Sequence, residues 1–217
     1  MLRVLLGTTA LATSLVFAVS ASAAIVTNGS FENGLNGWTT TGSGVTPGIG
    51  ITVIETGGTN STGYGDNVAN YDGTHAAFFV DDQAVEDLFQ SVSLKAGVFY
   101  SLSFALWATA SGAANPFNFT LENSVGLNVL DTTGNSGNST GVPVGTWTPY
   151  SYNFTVNSDD NYRLNFHFTS GLTPAKDVLL DGVAITAVPE PATLALFGAG
   201  LLGLGFVRRR KSDTPAA

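Results

Sequence analysis

Between residues 98 and 107 the chain alternates with a period of two. Val98, Tyr100, Leu102, Phe104 and Leu106 form one row, and Phe99, Ser101, Ser103, Ala105 and Trp107 form the other. Tyr150, Tyr152, Phe154 and Val156 alternate with polar positions, and Tyr162, Leu164, Phe166 and Phe168 alternate with Arg163, Asn165, His167 and Thr169. Successive side chains of a strand point to opposite faces, so this period marks half-buried strands. Shorter strands are expected at 51–55, 75–80, 88–94, 117–122, 127–130 and 178–186. Clusters of Gly, Asn, Ser and Thr separate them, notably at 56–67 and 132–145. Lys95, Ala96 and Gly97 read as a short hairpin-type turn between two strong strands. Many short antiparallel strands in one domain predict an all-β sandwich or barrel.

The two ends follow a different pattern. Residues 1–23 read as a secretory signal peptide: Arg3 is the positive start, 4–19 the apolar run, and Ala21, Ser22 and Ala23 a small-residue cleavage site. At the other end come Val188, Pro189, Glu190 and Pro191, then an uncharged stretch over 192–207, then Arg208, Arg209, Arg210 and Lys211. Proline is excluded from helix interiors but suits a first turn, so a helix is expected to start near Pro191. Sixteen residues reach roughly 24 Å as a helix, a little short of a ~30 Å hydrocarbon layer. Flanking side chains can cover the difference. The basic run resists crossing and stays cytoplasmic, which orients the segment. The body between these signals is 24–187, the size of one domain.

Removing the terminal signals changes the charge. The chain is −8 overall, but five of its eight cations lie in the signals. The body keeps three cations (Lys95, Arg163, Lys176) against fourteen acids, a net −11. Such a surface repels nucleic acid and anionic lipid, and suits an exported protein or one that binds divalent cations. With no cysteine, disulfides and thiol catalysis are excluded.

The C-terminal order of Val188, Pro189, Glu190 and Pro191, apolar helix and Arg208–Arg209–Arg210–Lys211 resembles the PEP-CTERM sorting domain of Gram-negative bacteria. The resemblance covers 188–211 and implies an exosortase as partner, with cleavage near Pro189–Pro191. It further implies transient membrane anchoring and a destination at the cell surface or in an extracellular matrix rich in exopolysaccharide, as in biofilm. An ordinary single-span anchor is the plainer alternative.

The body carries a second resemblance. Asn28, Gly29, Ser30, Phe31, Glu32, Asn33 and Gly34, with Gly37 and Trp38, are similar to the opening of galactose-binding-like jelly rolls. The segment from Leu88 to Gly97 and the closing Val178, Leu179, Leu180, Asp181, Gly182, Val183, Ala184 and Ile185 extend it. It implies a jelly-roll β-sandwich related to carbohydrate-binding modules. It also implies a structural Ca²⁺ held by Glu32 and Asp181, completed near Asn28 and from the Asp72–Gly73 loop. A hard cation requires six to eight oxygens. The alternative is that Glu32 and Asp181 cap turns through backbone amides.

Other chemistry is sparse. Trp107 and His167 stand opposite the core rows of their strands, with Arg163 and Asn165 beside His167, and are candidates for a sugar-binding face. Tyr64 and Tyr71 lie in Gly-rich segments and are candidates for a loop-borne site, while Trp38 and Trp147 read as packing residues. Asp81, Asp82, Glu86 and Asp87 read as a solvated loop, with a carboxylate pair for glycoside cleavage or a second cation site as alternatives. Only His75 and His167 are present, and no catalytic motif occurs; His75 reads as structural. The expectation is a non-enzymatic exported module beside extracellular polysaccharide. The alternatives are a polysaccharide lyase or hydrolase, or a stably membrane-anchored protein-binding domain.

Overall fold

The computed structural model describes residues 24–43, 50–80, 85–110, 112, 117–126, 128–131, 142–169, 176–188 and 200. The expected signal peptide and the sorting tail beyond Val188, apart from Gly200, lie outside the described residues, as do Asp81 and Asp82. Among the described residues no helix is long and apolar enough to cross a membrane.

Among the described residues ten strands form two antiparallel sheets. They are β1 (Thr39–Ser43), β2 (Thr52–Glu55), β3 (His75–Phe79), β4 (Val85–Leu94), β5 (Phe99–Ala108), β6 (Phe117–Glu122), β7 (Asn128–Asp131), β8 (Thr148–Thr155), β9 (Asp160–Phe168) and β10 (Val178–Ala187). The first sheet has the order β1-β4-β9-β6-β7 and the second β2-β3-β10-β5-β8. Nine strands coincide with the expected ones. β1 escapes the pattern because Thr39–Ser43 contains no apolar residue, and it stands at a sheet edge.

The inward rows follow the alternation. Tyr100, Leu102, Phe104 and Leu106 of β5 meet Tyr162, Leu164, Phe166 and Phe168 of β9 in one buried core. Phe104 joins the sheets, its ring 5.2 Å from both Phe119 and Phe166, edge to face. That geometry favours the aromatic quadrupoles and fills the gap between the layers.

Two expectations need correction. Lys95, Ala96 and Gly97 do not close a hairpin, because β4 and β5 belong to different sheets. The segment is a corner, and a second corner between β8 and β9 lies against it. Gly97 N donates to Val156 O (3.0 Å), Ala96 N to Asp159 Oδ1 (2.8 Å), and Lys95 Nζ pairs with Asp159 (2.8 Å). The second correction is to the acidic loop. β4 begins at Val85, so Glu86 and Asp87 are strand residues, Glu86 buried and Asp87 on the opposite face.

The opening segment is stapled onto β10. The register of β10 with β5 slips between Asp181 and Ala184, a bulge at Gly182, whose φ of +63° suits glycine. Val183 N donates to Gly29 O (3.0 Å), and a Cβ at Gly29 would collide with the Val183 carbonyl. Gln90 reaches in from β4, accepting from Thr27 N (2.7 Å) and donating to the carbonyls of Thr27 and Gly37 (2.9 Å each).

Candidate functional site

Two groups of polar side chains stand out, one at the β10 bulge and one on the open face of the first sheet.

At the bulge, Asn28 shapes the opening loop. Its Nδ2 donates to the carbonyls of Gly34 (2.8 Å) and Asn36 (3.0 Å), while its own carbonyl accepts from Trp38 Nε1 (3.0 Å). This turn presents Glu32 to the loop before β3. Glu32 accepts from the amides of Thr74 (2.6 Å) and His75 (2.9 Å), and its other oxygen lies 3.1 Å from His75 Nδ1. The Thr74 amide first, and then the His75 ring, hold its pKa below the usual carboxylate value. Gly73 permits the approach, since a Cβ there would strike the Glu32 carboxylate. Asp181 is fully buried, accepting from Asp72 N (2.9 Å) and Gly182 N (2.6 Å). Burial pushes its carboxyl up to about 7 despite these two hydrogen bonds, and the Asp72 and Glu32 carboxylates add to the rise.

Glu32, Asp181 and the Asp72–Gly73 loop are therefore brought together. Their hydrogen bonds are those of the turn-capping alternative. The donor set suits a hard cation in charge and in being all oxygen; each Asp181 oxygen accepts one N–H and retains a second lone pair, whereas both Glu32 oxygens already have two partners and would have to exchange one to bind an ion. Among the described residues no group of three or more ionisable side chains could hold a metal alone, so a shell would draw on backbone carbonyls.

On the first sheet, β9 turns Arg163, Asn165 and His167 away from the core. β4 lies on one side, with Asp87 opposite His167 and Phe89 opposite Asn165. β6 lies on the other, with Asn118, Thr120 and Glu122 opposite His167, Asn165 and Arg163. Asp87 Oδ1 accepts from Asn165 Nδ2 (2.8 Å) and lies 2.9 Å from His167 Nδ1. With Asp87 as acceptor, Nδ1 carries the imidazole proton and Nε2 accepts from Thr169 Oγ1 (3.0 Å). The Arg163 guanidinium stacks on Phe89, 3.9 Å from the ring centre. Asn165 is only 9% exposed, and its Oδ1 has no hydrogen-bond partner. An unsatisfied buried carbonyl costs about 1–3 kcal/mol.

Trp107 does not belong to this face. It lies on β5 in the other sheet and is 2% exposed. Val68, Ala76, Phe78, Val80 and Leu179 enclose it in a second small core, against which Ile54 and Trp147 pack. Alternation correctly put Trp107 opposite the main core, but the loop after β2 covers that outer surface. Trp38 is buried as expected, and Trp147 packs against Tyr71, ring centres 5.4 Å apart. Sequence reasoning missed Asp87, Phe89 and Thr169 as site members. The available signal was the i±2 spacing of Asp87 and Phe89, obscured by placing Asp87 in a loop.

A profile described as carbohydrate binding domain matches residues 23–176. The chain belongs to this carbohydrate-binding domain family. A profile of the PEP-CTERM protein-sorting motif matches 187–211, so this carbohydrate-binding domain protein is targeted to an exosortase, secreted and transiently anchored in the membrane. No curated protein matches it. Among solved structures, the module TmCBM61 in complex with β-1,4-galactotriose is 16% identical with a TM-score of 0.52, covering 77% of this chain and 100% of that one. A cyclase from Fischerella sp. TAU in complex with 4-(1H-indol-3-yl)butan-2-one is 16% identical with a TM-score of 0.57, covering 77% and 98%. The enzymatically active domain of bacteriophage CBA120 tailspike protein 4 is 16% identical with a TM-score of 0.50, covering 76% of this chain and 21% of that one. At such identities these likenesses establish the fold alone, which binding proteins and enzymes share.

Proposed function

We infer that the protein is a non-catalytic polysaccharide-binding module of an extracellular matrix, exported and processed by an exosortase near Pro189–Pro191. The binding surface is the open face of the first sheet around Asn165, His167, Asp87, Phe89 and Arg163. The observation that carries this reading is the organised polar row on that face, where Asp87 holds both Asn165 and His167 beside the Arg163–Phe89 stack. Sugar hydroxyls are both donors and acceptors, so they can bridge to Asp87 or Arg163. Binding of native exopolysaccharide and of β-1,4-galactan by affinity electrophoresis tests it. Asn165→Ala and Phe89→Ala should each weaken binding about tenfold or more, the loss of roughly one good polar or stacking contact. Unchanged affinity in both variants would overturn the assignment.

Ca²⁺ is part of the proposal as a structural ion at the β10 bulge. Glu32 and Asp181 would supply carboxylates, with further oxygens from Asn28, Asp72 and Gly73. The ion would offset the buried Asp181 charge and tie the opening loop to the last strand.

The chain Asp87–His167–Thr169 favours a second reading, a polysaccharide-active enzyme, because a base held between a carboxylate and a hydroxyl is a common catalytic arrangement. Turnover of exopolysaccharide by pure protein, abolished in His167→Ala, would establish it. Mass spectrometry of the secreted C-terminus tests the processing step. A terminus within Val188, Pro189, Glu190 and Pro191 is expected, whereas an intact Arg208–Lys211 end on all secreted protein would favour a plain anchor.

A further inference from the structure

Three large apolar side chains left in solvent share one pole of the sandwich. Phe99 is 51% exposed, Val125 75% and Val188 41%. Phe99 opens β5, and its carbonyl accepts from Val188 N (2.7 Å). Val125 tips the turn after β6, where Ser124 N and Oγ donate to Asp160 at the start of β9 (3.1 and 2.7 Å). Asp160 pairs with Leu94, the residue before the corner that leads to Phe99. These contacts put all three side chains at the same end as the two corners.

The chain also leaves the sandwich at this pole. β10 ends at Ala187, and the sorting motif begins at that same residue, so no linker separates them. Pro189, Glu190 and Pro191 alone stand between Val188 and the uncharged stretch that starts at Ala192. From Val188 to Ala192 the chain therefore spans at most about 14 Å. A rigid body tethered at that distance from an anchored segment meets the bilayer surface at high effective concentration. Ion pairing is not the attraction: Lys95, the cation at this corner, is engaged by Asp159, and the body is strongly acidic. An apolar tip within reach of lipid fits an interfacial contact.

We propose that this pole is a membrane-facing surface: while the tail is anchored, Phe99, Val125 and Val188 sit in the interfacial layer of the bilayer. The proposal rests on the sorting reading and gives it a geometry. The processing site is held at the lipid surface, and release uncovers the pole.

The chain has no cysteine, so single labels can be introduced cleanly. Nitroxides are placed at Phe99→Cys, Val125→Cys, Tyr64→Cys and Leu201→Cys in the full mature chain, reconstituted in zwitterionic phosphatidylcholine vesicles. Tyr64 lies in the loop after β2, whose Asp66 accepts from Ala110 N beyond the far end of β5. Relaxation by a water-soluble nickel chelate should fall about fivefold at 99 and 125 relative to 64, as for side chains ~5 Å or more into the interface. Val125 lies in a turn, so its variant tests the proposal even where Phe99→Cys disturbs folding. Lipid protection at 201 with aqueous signals at 99 and 125 overturns this proposal and leaves the sorting reading standing. An aqueous signal at 201 overturns both. Protection at 99 and 125 that arises only on adding exosortase overturns the lipid contact in favour of the protease.

Discussion

Replacing Asp181 by asparagine should remove most of a pH dependence that the fold imposes on itself. In the native state burial raises the Asp181 carboxyl from 3.8 to about 7. The folded chain therefore holds this proton more tightly than the unfolded chain does. Its contribution to stability is complete below pH 3.8 and is lost as the pH rises to about 7. At ~1.36 kcal/mol per pH decade the full span is worth roughly 4 kcal/mol, and solvent screening at the covering loop reduces it to about 2. The amide introduced by Asp181→Asn cannot ionise, but its NH₂ group faces one of the two N–H groups that now point at carboxylate oxygens. That mismatch costs about 1–3 kcal/mol at every pH. The pH slope is thus the clean observable, not the absolute stability. Urea denaturation of both proteins in chelator, from pH 4 to 8, measures it. Wild type should lose about 2–4 kcal/mol relative to the variant across that range, equivalent to ~4–16 °C in midpoint for a domain of this size. A difference constant across the range would falsify the account of Asp181 as a buried, strained carboxylate.

Further predictions test other elements. With Ca²⁺ added to chelated protein at pH 8, the melting midpoint should rise, and it should rise much less in Asp181→Asn; an unmoved wild-type midpoint removes calcium from the proposal. Trp107→Ala should destabilise by about 3–5 kcal/mol through the cavity left in the second core, yet leave polysaccharide affinity within about twofold, the size of a contact worth ~0.4 kcal/mol. A selective loss of binding would return Trp107 to the sugar site. Gly29→Ala should cost more than about 3 kcal/mol, since its methyl meets the Val183 backbone rather than a flexible side chain; a near-native denaturation midpoint would contradict the stapling of the opening segment.

What the chain reveals before folding depends on how local the cause is. Alternation in β5, β8 and β9 is a local property and identifies both faces of each strand. It cannot say what covers an outer face, which is why Trp107 reads as exposed although the loop after β2 buries it. The turn at Lys95, Ala96 and Gly97 has the same composition whether its strands pair or separate into two sheets. Only the partners of β4 and β5, far along the chain, decide between these. Glu32 and Asp181 could be paired through a family resemblance, but their amide partners in the 72–75 loop carry no sequence mark. The polar row on β9 was legible, whereas its organiser Asp87 was not, because β4 starts before its apolar alternation becomes regular.

The position of β10 also constrains the order in which the second sheet can assemble. In the second sheet it lies between β3 and β5, which have no pairing with each other. Before β10 arrives, β2-β3 and β5-β8 are two separate ribbons, and the opening segment lacks the strand to which Gly29 binds. The second sheet therefore cannot close until its last strand is available. Ala187 is the final residue of that strand and the first of the sorting motif. The last residue of the closing strand is thus also the first of the processing signal, so a cut within the motif leaves every strand of both sheets on the body.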